Sequence, residues 1–402
     1  MTRNSKARGF GLVELMVAVA IGTIVMLVVY QLFTAAEATR RTSVAGSDAQ
    51  MNAAIAVNVL QDEVRNAGYG LFGIGSANAR LLGCNVSAYS ATTGNFFSFQ
   101  LAPVSIVQGA DNNGNGVGQL SDTITVVYSD LAYPSVPSLL LASMTASTND
   151  IQVADRFGIA PGNLFIVSES VATTTPPQPL PAAPSPPIFC ALGEATGTPG
   201  GVGQLATVQH NPGQYRSNGV WVNVQYNGPS GIGASAANPT GVQFSTNATV
   251  YNFGFNPSVV TFSLNNNQLM TNNLLSTAGP QVLVGNVVQL QALYGVGIDT
   301  DGDGLADQLT GWQTVAPANL GLVMAVRFAV LTQSSQVEKP NQTTGLCNAT
   351  PVTSPELTYF NDLNGGAGYQ FNVANIVNWQ CYRYKKFEAV VPLRNLIWNP
   401  NA

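Results

Sequence analysis

The densest chemistry in the sequence is the stretch DTDGDGLAD, Asp299 to Asp307. Asp299, Asp301, Asp303 and Asp307 occupy positions 1, 3, 5 and 9 of a loop; Leu305 offers its backbone carbonyl at position 7, and Gly302 and Gly304 permit tight turns. Oxygen ligands in this pattern suit a hard cation, and flexible carboxylate and carbonyl donors favour Ca2+ over the smaller Mg2+. Position 12 is Thr310, not the bidentate Glu that completes an EF-hand loop, and no helices clearly flank the stretch, so a shorter structural calcium loop is expected. The alternative is an acidic, Gly-rich hairpin turn without an ion, in which clustered carboxylates would repel one another. DNNGNGVGQLSD, Asp111 to Asp122, echoes the spacing with Asn in place of Asp and reads as a flexible turn.

Catalytic chemistry is poorly supplied, and no enzymatic activity is expected. His210 is the single histidine; its context QHNPGQY is turn-like and suggests a surface or structural residue. No GxSxG nucleophile elbow and no CxxC pair occurs. Gly68, Gly70 and Gly73 formally match a dinucleotide-binding pattern, but they end a helix where that chemistry needs them to open one, so they read as a C-cap and turn. The net charge of −5 and pI near 4.8 supply no surface for nucleic acid. Arg383, Lys385 and Lys386 alternate with Tyr382 and Tyr384, as either a solvated sheet face or a docking face for an acidic neighbour. The four cysteines, Cys84, Cys190, Cys347 and Cys381, are an even set behind an export-like segment, which points to disulfides in an oxidising compartment with three connectivities possible.

The elements that position these residues begin with one long helix. Leu15 to Ala36 carries no charge and spans about 33 Å as a helix, enough to cross a bilayer core of about 30 Å. Arg3, Lys6 and Arg8 before it place the N-terminus in the cytoplasm. No small-residue cleavage site follows the apolar run. Ala53, Val57, Leu60, Val64 and Ala67 then recur at spacings of four and three, so a helix is predicted over 10–66, membrane-spanning at 12–36 and amphipathic at 37–66, with Gly22 and Gly46 as weak points. Glu14 stands out as a carboxylate inside the apolar run, where an acidic residue is costly and needs a partner. Beyond residue 67 the signals are strands: Thr123–Tyr128, Leu164–Ser168, Val220–Val224, Val259–Ser263 and Val287–Tyr294, with Leu322–Leu331 fitting a central strand or a buried helix. The proline-rich 173–187 reads as an exposed insertion. The expected fold class is therefore α+β: a long N-terminal helix followed by a large β-rich globular region at 67–402, only 9% of the whole chain being charged.

The N-terminus resembles a type IV prepilin: a basic leader ending in Gly9, then Phe10, then Glu14 at the fifth position after that Gly. The resemblance implies a leader at 1–9, removed between Gly9 and Phe10 by a membrane-embedded prepilin peptidase, and N-methylation of Phe10. It also gives Glu14 its partner, the new α-amine of Phe10 on its own or a neighbouring subunit, with the buried pair setting register. Further along, LQDEVRNAGYG, CALGEATG, VYNFGF, GIDTDGDGLAD and CYRYKKFEAVVPLRNLIW occur in an order similar to PilW-type minor pilins. That family implies a pilin-like fold and a part in initiating type IV pili, with other minor pilins, the major pilin, a tip adhesin and the inner-membrane assembly platform as partners. Residence would be in the inner membrane, globular region periplasmic, and then at the pilus tip. Chain order and the resemblance together suggest the pairing Cys84–Cys190 and Cys347–Cys381. A type II secretion pseudopilin and a membrane-anchored, calcium-dependent adhesin are the alternative readings.

Overall fold

A computed structural model describes residues 11–71, 82–110, 120–133, 136–156, 158–170, 188–199, 206–235, 238–302, 304–341 and 343–397. Gly9, Phe10, Gly73, Asp303 and the proline-rich 173–187 lie outside them. Helix α1, Leu12–Asn66, is continuous through Gly22 and Gly46, and an added Cβ would meet no neighbouring atom at either position. Its side chains from Leu12 to Phe33 are exposed all round, whereas Ala49, Ala53, Ala56, Leu60 and Val64 form one fully buried stripe. Small residues early in that stripe let the helix lie close against a sheet; the larger Leu60 and Val64 fill the deeper core. At the far end the amide of Asn395 donates to the carbonyls of Arg65, Asn66 and Ala67 at 3.2, 3.3 and 3.0 Å, satisfying groups that a helix terminus leaves open. Gly68 follows with its N–H on the Val127 carbonyl, so the glycines here close a helix as expected.

Among the described residues three sheets carry the head. A six-stranded sheet runs in the order Asn95–Gln100, Asn85–Ser90, Ile188–Glu194, Leu164–Ser170, Thr249–Gly254, Ser138–Leu139. A five-stranded sheet runs Gln281–Gly285, Gln268–Asn273, Ser258–Asn265, Thr123–Tyr128, Val104–Val107. A four-stranded sheet runs Gln308–Gln313, Val287–Ile298, Val323–Gln333, Tyr384–Pro392, antiparallel throughout. Val220–Asn223 pairs instead with Gln214–Ser217 as a separate hairpin. The ambiguous run at 322–331 is a strand: it is central and buried on both faces, which removes the period-two alternation that would have marked it in the sequence.

The layers follow from which side chains share a core. Leu60 and Val64 of α1 pack with Ile124 and Phe262 of the five-stranded sheet and with Leu290 and Phe328 of the four-stranded sheet. Val127 and Val259, on the other face of the five-stranded sheet, meet Val86 and Ile166 of the six-stranded sheet. The outer face of the four-stranded sheet is covered by Leu357, Tyr359, Phe360 and Phe371, which pack on Leu293, Ala329 and Leu331. The result is the expected α+β layout, an apolar N-terminal helix followed by a large β-rich region with few helices.

Candidate functional site

The acidic loop closes the hairpin between Val287–Ile298 and Gln308–Gln313, whose last pair is Ile298 with Gln308. Hydrogen bonds fold it tightly. The Asp299 carboxylate accepts from the Gly302 N–H at 2.6 Å and the Gly304 N–H at 2.9 Å, both glycines being in the left-handed region at φ 84° and 89°. Asp307 closes the opposite side, accepting from the Thr300 N–H at 2.7 Å and from the Thr300 hydroxyl. These two bonds hold the exposed Asp307 carboxyl below the usual carboxylate range. The amide of Asn319 braces the loop from outside through the Gly304 carbonyl at 2.7 Å, and Leu305 lies half-buried beside Gly321.

Folding brings Asp299, Asp301 and Asp307 together: one carboxylate oxygen from each lies within 4.8 Å of the others. Of the ligand set expected from the sequence, Asp303 is outside the described residues. The donor set suits a hard divalent cation, because it is all oxygen and the Asp299 oxygens that accept N–H groups keep further lone pairs for a metal. Sequence reasoning missed Thr300 and Asn319, the residues that orient the loop. Asn319 has no motif to mark it, since its contact spans the strand between.

At the other end of the chain's chemistry, Glu14 lies in the first turn of α1, exposed, and accepts from the Gly11 N–H at 3.3 Å. Its carboxylate thus turns back toward the helix start. Both disulfides pair as the chain order and resemblance suggest. Cys84–Cys190 joins neighbouring strands of the six-stranded sheet, with a Cα separation of 6.1 Å, and Cys347–Cys381 has a Cα separation of 4.8 Å.

The basic C-terminal strand is not a free docking face. Arg383 pairs with Glu338, Lys385 with Glu356 at 3.0 Å and Lys386 with Glu388 at 3.1 Å, so its charges are used within the fold, while Tyr384 is buried. Arg327 extends the network to Asp362 and Glu388 and lies 4.4 Å from the Phe360 ring centroid, fastening the outer layer to the sheet. His210 is a structural histidine inside the core. Its Nε2–H donates to the Asn149 carbonyl at 2.7 Å, and burial lowers its pKa. Asp122 is also no exposed turn residue: fully buried, it accepts from Gly109 and Ala292 N–H groups and ties the five-stranded to the four-stranded sheet. Burial pushes its carboxyl up to about 7.

Two stretches match known families. Residues 4–30 match the prokaryotic N-terminal methylation motif, and residues 255–395 match the family described as type IV pilus-assembly protein W. Together the two matches support a PilW-type minor pilin. No curated protein and no solved structure in the comparisons matches it. The PilW stretch begins just before Ser258–Asn265, contains the whole four-stranded sheet and ends at Asn395, the residue that caps α1. The matched region therefore supplies much of the part of the head that seats the helix, and the six-stranded sheet lies outside both matches. The methylation motif and the apolar helix make this a membrane-anchored pilin, and pilin-family regions point to structural rather than catalytic work.

Proposed function

We propose that this minor pilin helps to initiate and assemble type IV pili from the pilus tip, through helix packing and contacts of its head with other pilins. The observation that carries the reading is α1. Its Leu12–Glu37 half is apolar, and none of it is buried within the chain, so it needs lipid before assembly and other subunits' helices afterwards. The prepilin peptidase would cut after Gly9 and methylate Phe10. N-terminal mass spectrometry of protein recovered from sheared pili is expected to show N-methyl-Phe10 as the first residue; an intact Met1, or a cut beyond residue 30, would overturn this.

The size of the head supports a tip position. A head of about 335 residues has a radius of gyration of about 20 Å, against about 13 Å for a head of about 100 residues. Repeated at the close spacing of packed helices, the larger head would clash with its neighbours; above the last subunit it has room to spread. Immunogold labelling of intact pili should give sparse label at filament ends. Dense label along the shaft would refute the tip reading. A deletion strain should lose surface pili, whereas a membrane-anchored adhesin acting alone would lose binding and keep its pili.

The acidic loop would hold Ca2+ through Asp299, Asp301, Asp303 and Asp307 with the Leu305 carbonyl, and the ion would neutralise carboxylates crowded at the end of a hairpin. Binding to the folded state alone raises stability by mass action. Millimolar Ca2+ is expected to raise the Tm of the purified protein more than equal Mg2+, and Asp301→Ala with Asp303→Ala to abolish the shift. An unmoved wild-type melting curve would leave the loop as a turn only.

A further inference from the structure

The end of the head from which α1 emerges carries a lobe that the assembly reading does not use. Three contacts fix its place along the helix. Asn395 bonds the carbonyls at residues 65–67, the Thr332 hydroxyl bonds the Ala49 carbonyl at 2.9 Å, and Ser335, Gln336, Val337 and Tyr382 line a groove against Glu37, Arg40, Val44 and Asp48. The Val323–Gln333 strand therefore descends antiparallel to α1, and the residues after it lie beside positions 37–48. At 1.5 Å per residue, that stretch covers only about 16 Å beyond the apolar span. The start of the lobe, at 335–337 and Tyr382, therefore lies against the part of α1 that adjoins the apolar span.

Its construction is rigid. Cys347–Cys381 clamps it, the Glu338 N–H donates to the Cys381 carbonyl at 2.8 Å, the Ala349 N–H to Gln380 at 2.9 Å, and the Thr350 hydroxyl to the Tyr382 carbonyl at 2.6 Å. Its surface sets exposed aliphatic side chains among uncharged Asn and Thr where a soluble surface would carry more charge. Val337, Leu346, Val352 and Val377 are 54%, 69%, 66% and 81% exposed, and Trp379 and Tyr382 are half-exposed beside them. No charged residue occurs between Lys339 and Glu356 or between Asp362 and Arg383. In a chain only 9% charged, that absence alone would decide little. Its coincidence with exposed aliphatic side chains, with Trp and Tyr, and with the exit of a membrane-spanning helix is what selects a ligand. Aliphatic groups buried at the headgroup–acyl boundary, with Trp and Tyr at headgroup level, are the pattern of interfacial membrane contact.

We propose that, before assembly, this disulfide-clamped lobe rests in the interface of the same phospholipid bilayer that α1 spans, with Leu346, Val352 and Val377 entering the lipid surface. The proposal rests on α1 as a membrane span and is continuous with it. Seating the lobe fixes the tilt of the head, so that leaving the membrane during assembly must break lobe–lipid contact as well as extract the helix.

The test uses the full chain in phosphatidylcholine–phosphatidylglycerol vesicles. A fluorescent amino acid is placed in turn at Leu27, Leu346, Val377 and Val220, the last being an exposed position on the separate hairpin. Lipids carrying a nitroxide near the headgroup end of the acyl chain should quench positions 346 and 377, acyl-chain nitroxides should quench position 27, and position 220 should keep its fluorescence. With the probe at Val352, Leu346→Asp with Val377→Asp should abolish quenching while the Cys347–Cys381 bond and the Tm persist. Quenching at 27 with positions 346 and 377 as bright as 220 would overturn the lobe proposal and leave the membrane anchor standing. Failure at 27 would overturn both. Protection of 346 and 377 from aqueous iodide only when other pilins are present, without lipid quenching, would assign the surface to a protein and also overturn the proposal.

Discussion

Glu14→Val is expected to insert into the membrane as well as the wild type and yet to be nearly absent from pili. Removing a carboxylate from an apolar segment lowers the cost of insertion, since a charged residue near mid-membrane costs about 2.5–3.5 kcal/mol on insertion scales. Assembly is the step that needs the charge. In the chain the Glu14 carboxylate turns back to the Gly11 N–H, one residue from where the Phe10 amine would stand after cleavage. Such a carboxylate is placed to meet an α-amine, its own or a neighbour's. Losing one partner of a buried pair costs about 3–5 kcal/mol, because the other charge stays buried alone. That converts to a loss of roughly 10²- to 5 × 10³-fold in the packing equilibrium. Immunoblots of membranes and of sheared pili from one culture separate the two steps. Glu14→Val at wild-type levels in pili would show that the residue needs no partner, and reduced amounts in the membrane would move its role to insertion.

The helix was legible because two different physical demands wrote two different patterns into it. Lipid accepts apolar side chains on every face, so 12–36 has no period. Packing on a sheet needs one face, so Ala53, Val57, Leu60 and Val64 recur at helical spacing. Short strands such as Thr123–Tyr128 were legible by β-branching and turn residues; Val323–Gln333 was not, because a strand buried on both faces loses its alternation. The C-terminal charges left two readings open for a different reason. Arg383 and Lys385 look unpaired in sequence because their partners, Glu338 and Glu356, lie tens of residues away outside the strands, whereas Lys386 meets Glu388 two residues along its own strand. Asp122 hides in the same way. A turn residue by context, it becomes a buried acceptor only when Ala292 of another sheet reaches it. The acidic loop was legible because its ligands are local, but Thr300 and Asn319 show that their orientation is not.

The family match covers most of the head that packs on α1, with Val104–Val107 and Thr123–Tyr128 joining that core from outside it. Residues 255–395 supply the sheet that carries Thr332 and the cap Asn395, both bonded to α1 backbone carbonyls. Among the described residues the six-stranded sheet shares one buried cluster with the five-stranded sheet, whose other face packs on α1. Change in the outer sheet can therefore leave the seating of the helix intact, which suits a subunit whose helix must fit a common filament while its head meets particular neighbours.

That division gives the second large expectation, for the bond that holds the outer sheet together. The strands Asn85–Ser90 and Ile188–Glu194 pair in parallel through only Asn85–Phe189, Val86–Cys190 and Ser87–Ala191, and the Asn85–Gln100 hairpin hangs from that short seam. Cys84–Cys190 clamps it, with both sulfurs buried beside Phe99 and Phe253. The bond closes a loop with sequence separation 106, against 34 for Cys347–Cys381. In the chain-entropy treatment these are worth about 5 and about 4 kcal/mol, the larger being comparable with the whole stability of many domains. Cys84→Ser with Cys190→Ser also buries two hydroxyls in an apolar cluster, so Cys84→Ala with Cys190→Ala is the cleaner variant. It should unfold at markedly lower denaturant than the wild type, with protease cuts appearing first in residues 85–100. The four-stranded sheet holds its contacts with α1 without the hairpin, so cleavage there should come later. A greater loss from Cys347→Ala with Cys381→Ala, or cuts that begin in the four-stranded sheet, would show that the outer sheet is not the part this bond secures.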